Sequence, residues 1–225
     1  AFSPVKFGIS FTLTHLNQAG ALVQIYSDGS VLINHGGTEM GQGLFQKVAQ
    51  VAARSLGVAQ SSIRASATDT SKVPNTSATA ASSGTDLNGM AVQAACKTLQ
   101  NRLQSHLVNV YGCPSDAILF EGSEVIGPNF RLPWDEAVKS AYEARISLSA
   151  TGFYKTPDIA WDRIKGQGRP FLYFAYGAAV TEVVIDTLTG ENRILRCDIL
   201  HDCGSSLNPA LDIGQIEGGF VQGAG

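Results

Sequence analysis

The sequence predicts an α+β fold of mixed sheets with flanking helices, and three observations lead there. Short stretches alternate apolar and polar residues as half-buried strands do, and longer stretches repeat apolar residues at helical spacing. Three segments rich in Gly, Ser, Thr and Gln fall where a strand gives way to a helix: His35-Gly36-Gly37-Thr38-Glu39-Met40-Gly41-Gln42-Gly43, residues 75–86, and Gly204-Ser205-Ser206-Leu207-Asn208-Pro209 running on to Gln215.

Residues 6–13 alternate and predict the first strand. Residues 21–26 and 31–33 flank Asp28-Gly29, the turn dipeptide that joins two strands of a hairpin. After the first polar segment, Leu44, Val48, Val51, Ala52 and Leu56 recur at helical spacing and Gly57 is placed to cap the helix. Residues 62–68 predict a short strand. A long helix is predicted over about 86–111, with Val92, Ala95, Leu99, Leu103 and Leu107 on one stripe and Ser83 or Thr85 as N-cap. Residues 112–133 hold Gly122, Gly127 and Pro128 and read as an insertion or loop; a helix follows over 134–143, after Pro133. From 146 the pattern turns to strands at 147–154, 171–185 and 192–201, with 166–170 a loop and 186–190 a turn. A last helix is predicted over 209–222, with Asp212 in its first turns where the helix dipole favours a negative charge. An approximate division into a first α+β half, 1–145, and a second half, 146–225, follows this change of pattern.

The composition narrows the function. The 225 residues are 44% hydrophobic and 16% charged with a net charge of −3, so the chain is globular and lacks the basic stripe that nucleic acid or a membrane surface would need. No stretch reaches the roughly 18 consecutive apolar residues that span a bilayer. Neither a nucleic-acid nor a membrane partner is expected, and a cytoplasmic location is. Cys96, Cys113, Cys197 and Cys203 show no metal-ligand spacing and suit a reducing compartment. Alternation around His201 places Cys197 and Cys203 on a strand as core residues. The chain starts at Ala1 and stops at Gly225 inside an apolar run, which reads as a piece of a longer chain, truncated at its C-terminus.

Small residues let a backbone approach a ligand closely, and hydroxyls, amides and main-chain N–H groups can hold an anionic molecule without Lys or Arg. The three polar segments therefore read as a cradle for one heteroatom-rich cofactor. It is not a P-loop, because Gly36 to Gly43 has no Lys to meet a phosphate, and Gly41-x-Gly43 followed by Gln46 misses the dinucleotide fingerprint. No Gly-x-Ser-x-Gly nucleophile motif is present, and the histidines are scattered. His35 at a strand end reads as a packed or hydrogen-bonded residue rather than a base. Glu39 and Glu217 read as holding their loops by accepting backbone N–H groups, with a base role the lesser alternative.

Gly36 to Gly43, preceded by Gly8-Ile9-Ser10-Phe11-Thr12 and Leu16-Asn17-Gln18-Ala19-Gly20-Ala21, resembles the molybdenum-cofactor domain of the xanthine dehydrogenase/oxidase family, the molybdenum hydroxylases. So do Pro74-Asn75-Thr76-Ser77, Thr79-Ala80-Ala81-Ser82, Thr151-Gly152-Phe153-Tyr154 and the segment from Gly204 to Gln215. The likeness runs through nearly the whole chain, weakest at about 110–129. It implies that the chain is part of a larger molybdopterin-binding domain, residues 1–225 being a partial one. It implies cofactor contacts at Gly41, Gln42 and Gly43, further pterin and phosphate contacts at Ser82, Thr85 and Gln215, and a place beside the molybdenum for the backbone of Ala81. Phe11 and Thr12 match substrate contacts, an aromatic packing on a flat substrate and a hydrogen-bonding neighbour.

The activity implied is that of an oxidoreductase of purine catabolism, which hydroxylates hypoxanthine or xanthine with oxygen derived from water. In the full-length enzyme the resemblance further implies [2Fe–2S] iron–sulfur clusters, FAD, NAD or oxygen as acceptor, and a homodimer. An aldehyde oxidase of the same family, or a non-catalytic small-molecule-binding module, are the alternatives. The family's base is a glutamate in a Gly-Glu-Pro-like motif that this chain does not contain, so no catalytic residue is expected within it. By itself the chain is expected to bind only part of the cofactor and not to turn over.

Overall fold

The structure is a computed structural model that describes residues 1–225. In chain order the elements are β1 (Phe2–Ile9), β2 (Gln18–Ile25), β3 (Val31–His35), α1 (Leu44–Leu56), β4 (Ile63–Ala65) and α2 (Gly84–Tyr111). A run of short strands follows, β5 (Leu119–Glu121), β6 (Glu124–Gly127) and β7 (Phe130–Pro133), then α3 (Trp134–Glu143) and β8 (Ser149–Lys155). The chain ends in β9 (Ala160–Asp162), β10 (Gln167–Arg169), β11 (Tyr173–Ile185), β12 (Asn192–Asp202) and α4 (Pro209–Ala224). Helices and mixed sheets are as the α+β reading expects.

These elements form two compact units, Ala1–Thr14 with Asp158–Gly225, and His15–Pro157. The division thus falls at 14/15 and 157/158 rather than at 145/146, because β8 pairs with β2 and stays with the strands before it.

The larger unit, His15–Pro157, is built on a four-stranded sheet in the order β4-β3-β2-β8. β2 pairs antiparallel with β3 and β8, and β4 joins β3 in parallel after the α1 crossover. Alternation fixes which face is buried: Ala19, Ala21, Val23 and Ile25 of β2 and Val31 and Ile33 of β3 turn to one side and are buried. Val48 and Leu56 of α1 and Val92, Leu99, Leu103 and Leu107 of α2 join them in one hydrophobic cluster, each at most 1% exposed. Each such side chain contributes about 1.5–3 kcal/mol relative to exposure. Gly57 ends α1 in the left-handed conformation, its N–H returning to the Ala53 carbonyl, as the spacing predicts.

Two close approaches tie the layers together. At Gly152 of β8 a Cβ would lie 2.0 Å from the Ala91 carbonyl oxygen and 2.6 Å from the Ala95 nitrogen, so the strand rests directly on the small-residue face of α2. At the Asp28-Gly29 hairpin, Asp28 accepts from the Ser30 backbone, and the buried Trp134 indole N–H donates to the Gly29 carbonyl at 2.8 Å, pinning α3 to the turn.

Several sequence expectations need correction. The first strand is β1, ending at Ile9 rather than running to Leu13, because its antiparallel register with β11 stops at Ile9–Tyr173 and Ser10 takes φ 145°. Residues 112–133 are not simply a loop: β5, β6 and β7 form an antiparallel meander, turning at Gly122-Ser123 with both residues at positive φ. The expected loop 166–170 contains β10, paired with β9. Cys203 lies just past the end of β12 and is exposed, and Cys197 is only half-buried, so neither is a core residue.

The other unit holds the antiparallel sheet β1-β11-β12, with a register shift between Glu182 and Val183, the β9–β10 hairpin and α4. Asn208 caps α4, its side-chain oxygen accepting from the Leu211 N–H, and Pro209 opens the first turn. No residue of α4 is buried. No helix in the structure is long and apolar enough to cross a membrane.

Candidate functional site

The first polar segment leaves β3 at His35 and enters α1 at Leu44. Its paired glycines are packing requirements: a Cβ at Gly36 would lie 2.0 Å from the Thr76 hydroxyl, and one at Gly37 would lie 2.5 Å from Leu44 and 2.7 Å from the Asn88 amide. Beyond them the loop turns back on itself around Glu39. One carboxylate oxygen accepts from the N–H groups of Gly41 (2.9 Å) and Gly43 (3.0 Å), and the other accepts from Phe45 (3.0 Å). Glu39 thereby caps the start of α1, whose N-cap residue Gly43 provides no side chain. Burial, the largest single influence, pulls the Glu39 pKa upward. The donations from Phe45, Gly43 and Gly41, with the N–H of Leu44 nearby, together outweigh it and hold the group below the ordinary carboxylate value.

Gln42 braces the same turn. Its side-chain oxygen accepts from the Met40 N–H and its amide nitrogen donates to the Thr38 carbonyl at 2.9 Å. One of the two amide hydrogens suffices for that bond, leaving the other for a second acceptor. Gly41, at φ +94°, would have nothing within 4 Å of a Cβ, so the tip of the loop faces open space.

His35 is 2% exposed. Its Nδ1 accepts the Gly37 N–H at 3.1 Å, its ring lies edge-on to Phe45 with centroids 4.9 Å apart, and its carbonyl accepts from the Thr68 hydroxyl. Burial pushes its pKa down to about 4, against a smaller upward pull from the Glu39 charge. A neutral ring accepting at Nδ1 carries its hydrogen on Nε2, which is buried without a hydrogen-bond partner.

The second segment lies alongside the first, and the Thr38 N–H donates to the Thr79 hydroxyl at 2.9 Å, joining the two loops. Farther on, Ala81 and Ser82 both take left-handed backbone conformations, with φ 57° and 55°, before the chain enters α2. Ser83 occupies the N-cap position but does not cap: its buried hydroxyl donates back to the Ala80 carbonyl. The first-turn N–H groups of α2 and the positive end of its dipole thus lie beside the exposed Ser82 and the half-buried Thr85.

The third segment belongs to the other unit. The Gly204 N–H donates to the Asp202 carboxylate, and the Ser206 hydroxyl donates to that of Asp212. Gln215 is exposed on α4. Phe11, half-buried, and Thr12, exposed, follow β1 in this same unit. The residues predicted as cofactor contacts therefore divide: Gly41, Gln42, Gly43 and Ser82, with Ala81 beside Ser82 in sequence, lie on two hydrogen-bonded loops of the larger unit, Thr85 lies in the first turn of α2 just beyond the second, and Gln215 lies on the other unit.

Sequence reasoning missed the residues that hold the loops to each other. Thr79 is 41 positions from its partner, and Thr76 and Asn88 matter because they crowd Gly36 and Gly37. The signal available was the run of hydroxyl residues at 75–86, which marks a loop rich in side-chain acceptors without saying which amide each meets.

The chain matches the family described as the molybdopterin cofactor-binding domain over residues 1–225. It is 54% identical over 222 residues to the xanthine dehydrogenase/oxidase of Gallus gallus, covering 99% of this chain and 15% of the relative. It is 51% identical over 225 residues to the xanthine dehydrogenase of Oryza sativa subsp. japonica, covering 100% of this chain and again 15% of the relative. The chain thus spans about 15% of the length of these relatives. Among solved structures, quinoline 2-oxidoreductase from Pseudomonas putida 86 superposes with a TM-score of 0.78 at 24% identity, over 97% of this chain and 28% of that one. The aldehyde oxidoreductase from Desulfovibrio desulfuricans gives 0.75 at 25% identity, over 99% of this chain and 22% of that one. With its whole length matched, the chain belongs to the molybdopterin cofactor-binding domain family.

Proposed function

We propose that this chain is the part of a xanthine dehydrogenase/oxidase-like oxidoreductase that receives molybdopterin, in an enzyme that hydroxylates purines such as hypoxanthine and xanthine with oxygen derived from water. The observation that carries the reading is the match over the entire chain, at 54% and 51% identity, to proteins named xanthine dehydrogenase. An aldehyde substrate is the second reading. It is favoured by the similarity in fold to an aldehyde oxidoreductase, at the lower identity of 25%.

The residues of the larger unit suit the cofactor. An anionic pterin with its phosphate needs donors in place of acceptors, and α2 offers an N-terminus whose N-cap residue, Ser83, makes no capping bond, with the Ser82 and Thr85 hydroxyls beside it. In the first loop the N–H groups of Gly41, Gly43 and Phe45 are already taken by Glu39, so the loop's contribution falls to the second amide hydrogen of Gln42 and to close approach at Gly41. We assign Gly41, Gln42, Gly43, Ser82, Thr85 and Gln215 to cofactor binding, the Ala81 backbone to the neighbourhood of the metal, and Phe11 and Thr12 to substrate. When bound, the molybdenum supplies the two-electron oxidation and the transfer of a water-derived oxygen. The protein here binds and orients: Glu39 fixes the loop, Gln42 donates, and the α2 terminus takes negative charge.

The catalytic base, the [2Fe–2S] clusters, FAD, the NAD or oxygen acceptor and a homodimeric assembly are assigned to the full-length enzyme, and a cytoplasmic location goes with them. The test is Gln42→Ala in the natural protein, followed by metal analysis and pterin fluorescence. Loss of the Gln42 amide contact is expected to lower molybdenum and pterin content together, by about tenfold for 1.4 kcal/mol of lost affinity. Full occupancy in that variant would overturn the assignment.

A further inference from the structure

Among the backbone N–H groups between Gly37 and Phe45, six donate to side chains. Thr38 donates to Thr79 and Met40 to Gln42, groups that do not titrate. The other four go to two titratable acceptors: Gly37 to His35, and Gly41, Gly43 and Phe45 to Glu39. We propose that the loop from Gly36 to Gly43 is an acid-released clamp, held closed by His35, whose Nδ1 accepts only when unprotonated, and by Glu39, which accepts all three of its backbone groups with both oxygens only as the carboxylate.

The chemistry of the two acceptors is the basis. Protonating His35 at Nδ1 sets an N–H against the Gly37 N–H inside a site that is 2% exposed and so costly for an unpaired donor. Protonating Glu39 turns one of its oxygens into a donor, and both oxygens now accept from backbone amides. The surroundings offer the His35 ring little compensation for a positive charge. β2 sets Ala21 opposite it, α1 presents the Phe45 ring, and the segment after β4 presents the Thr68 hydroxyl to its carbonyl. Glu39 on the same loop is the charged group that acts on it. Protonating the carboxylate, which its backbone bonds hold below the ordinary range, withdraws that help along with the loop's bonds to it. The two losses therefore reinforce each other. The inference concerns the loop backbone alone and goes beyond the cofactor reading, standing whether or not the loop carries molybdopterin.

The test is hydrogen–deuterium exchange in the natural protein, with protection corrected for intrinsic rates and followed from pH 6.5 down to about 4. For an opening linked to one proton, protection of the amides from Gly37 to Phe45 is expected to fall about tenfold per pH unit, with the α2 amides from Ala91 to Leu107 as the steady reference. In His35→Asn the Oδ1 atom sits where Nδ1 does and accepts without titrating, so the loss at Gly37 is expected to flatten to within about twofold over the same range. Glu39→Gln is expected to lower protection at all pH values while leaving the His35-linked slope. A loop whose protection does not change with pH in the wild type would overturn the proposal, as would His35→Asn with an unaltered slope. Should His35→Asn fail to accumulate, the wild-type profile decides alone.

Discussion

Glu39 spends its charge inside its own loop, and that decides what the neighbouring residues are free to do. With three backbone amides taken by one carboxylate, the contact to an incoming ligand passes to Gln42 and to the N-terminal end of α2. Glu39→Ala removes the acceptor at an exposed site where water recovers part of the loss, so a cost of about 1 kcal/mol is expected, seen as faster exchange at Gly41, Gly43 and Phe45. That Glu39 holds its loop was legible in the sequence, because a carboxylate among glycines just before a helix has few other uses. The partnership of Thr38 with Thr79 was not, since a hydroxyl run identifies no amide until the fold brings the loops together. His35 gives this site its pH dependence. The folded state keeps it neutral down to about pH 4 while the unfolded chain takes the proton near 6.5, so the unfolded chain binds more protons between those values. Stability is therefore expected to fall as pH drops through that window, by about 3 kcal/mol in all, and to be insensitive to this group above it. Denaturant titrations of wild type and His35→Asn at the two ends of the window measure the difference, and equal slopes would contradict it.

At the scale of elements, α1 and α2 were readable because long segments repeat their apolar residues often enough for the 3.6-residue period to stand out. β5, β6 and β7 were not, since strands of three or four residues are too short for alternation to register against their glycines. The overlong first strand had the opposite cause: apolar alternation continues past Ile9 in the sequence, but pairing with β11 stops there. Contact between elements was likewise out of reach. The sequence places Gly152 in a strand but does not show that it is the point at which β8 rests on α2. Gly152→Ala drives a methyl group into the Ala91 carbonyl, which is backbone and cannot swing aside. The expected cost is about 1–3 kcal/mol, read as a lower thermal midpoint. An unchanged midpoint would mean that strand and helix are not in this register.

Over the whole molecule the apolar core belongs to His15–Pro157 alone, while α4 of the other unit buries none of its residues. In the isolated 225-residue chain, the amides of α2 are therefore expected to be the most protected and those of α4 to exchange rapidly. The two loops proposed to meet the cofactor are both anchored on that core, one entering α1 and the other α2, which is what a binding surface of defined shape requires. The most direct measurement is a comparison of hydrogen exchange in the natural protein with and without its molybdenum cofactor. Binding as proposed protects residues 40–43 and the stretch from Ser82 to Asp86 that leads into α2 together, with little change in β5, β6 and β7. Protection at neither loop, with the cofactor fully bound, would contradict the account.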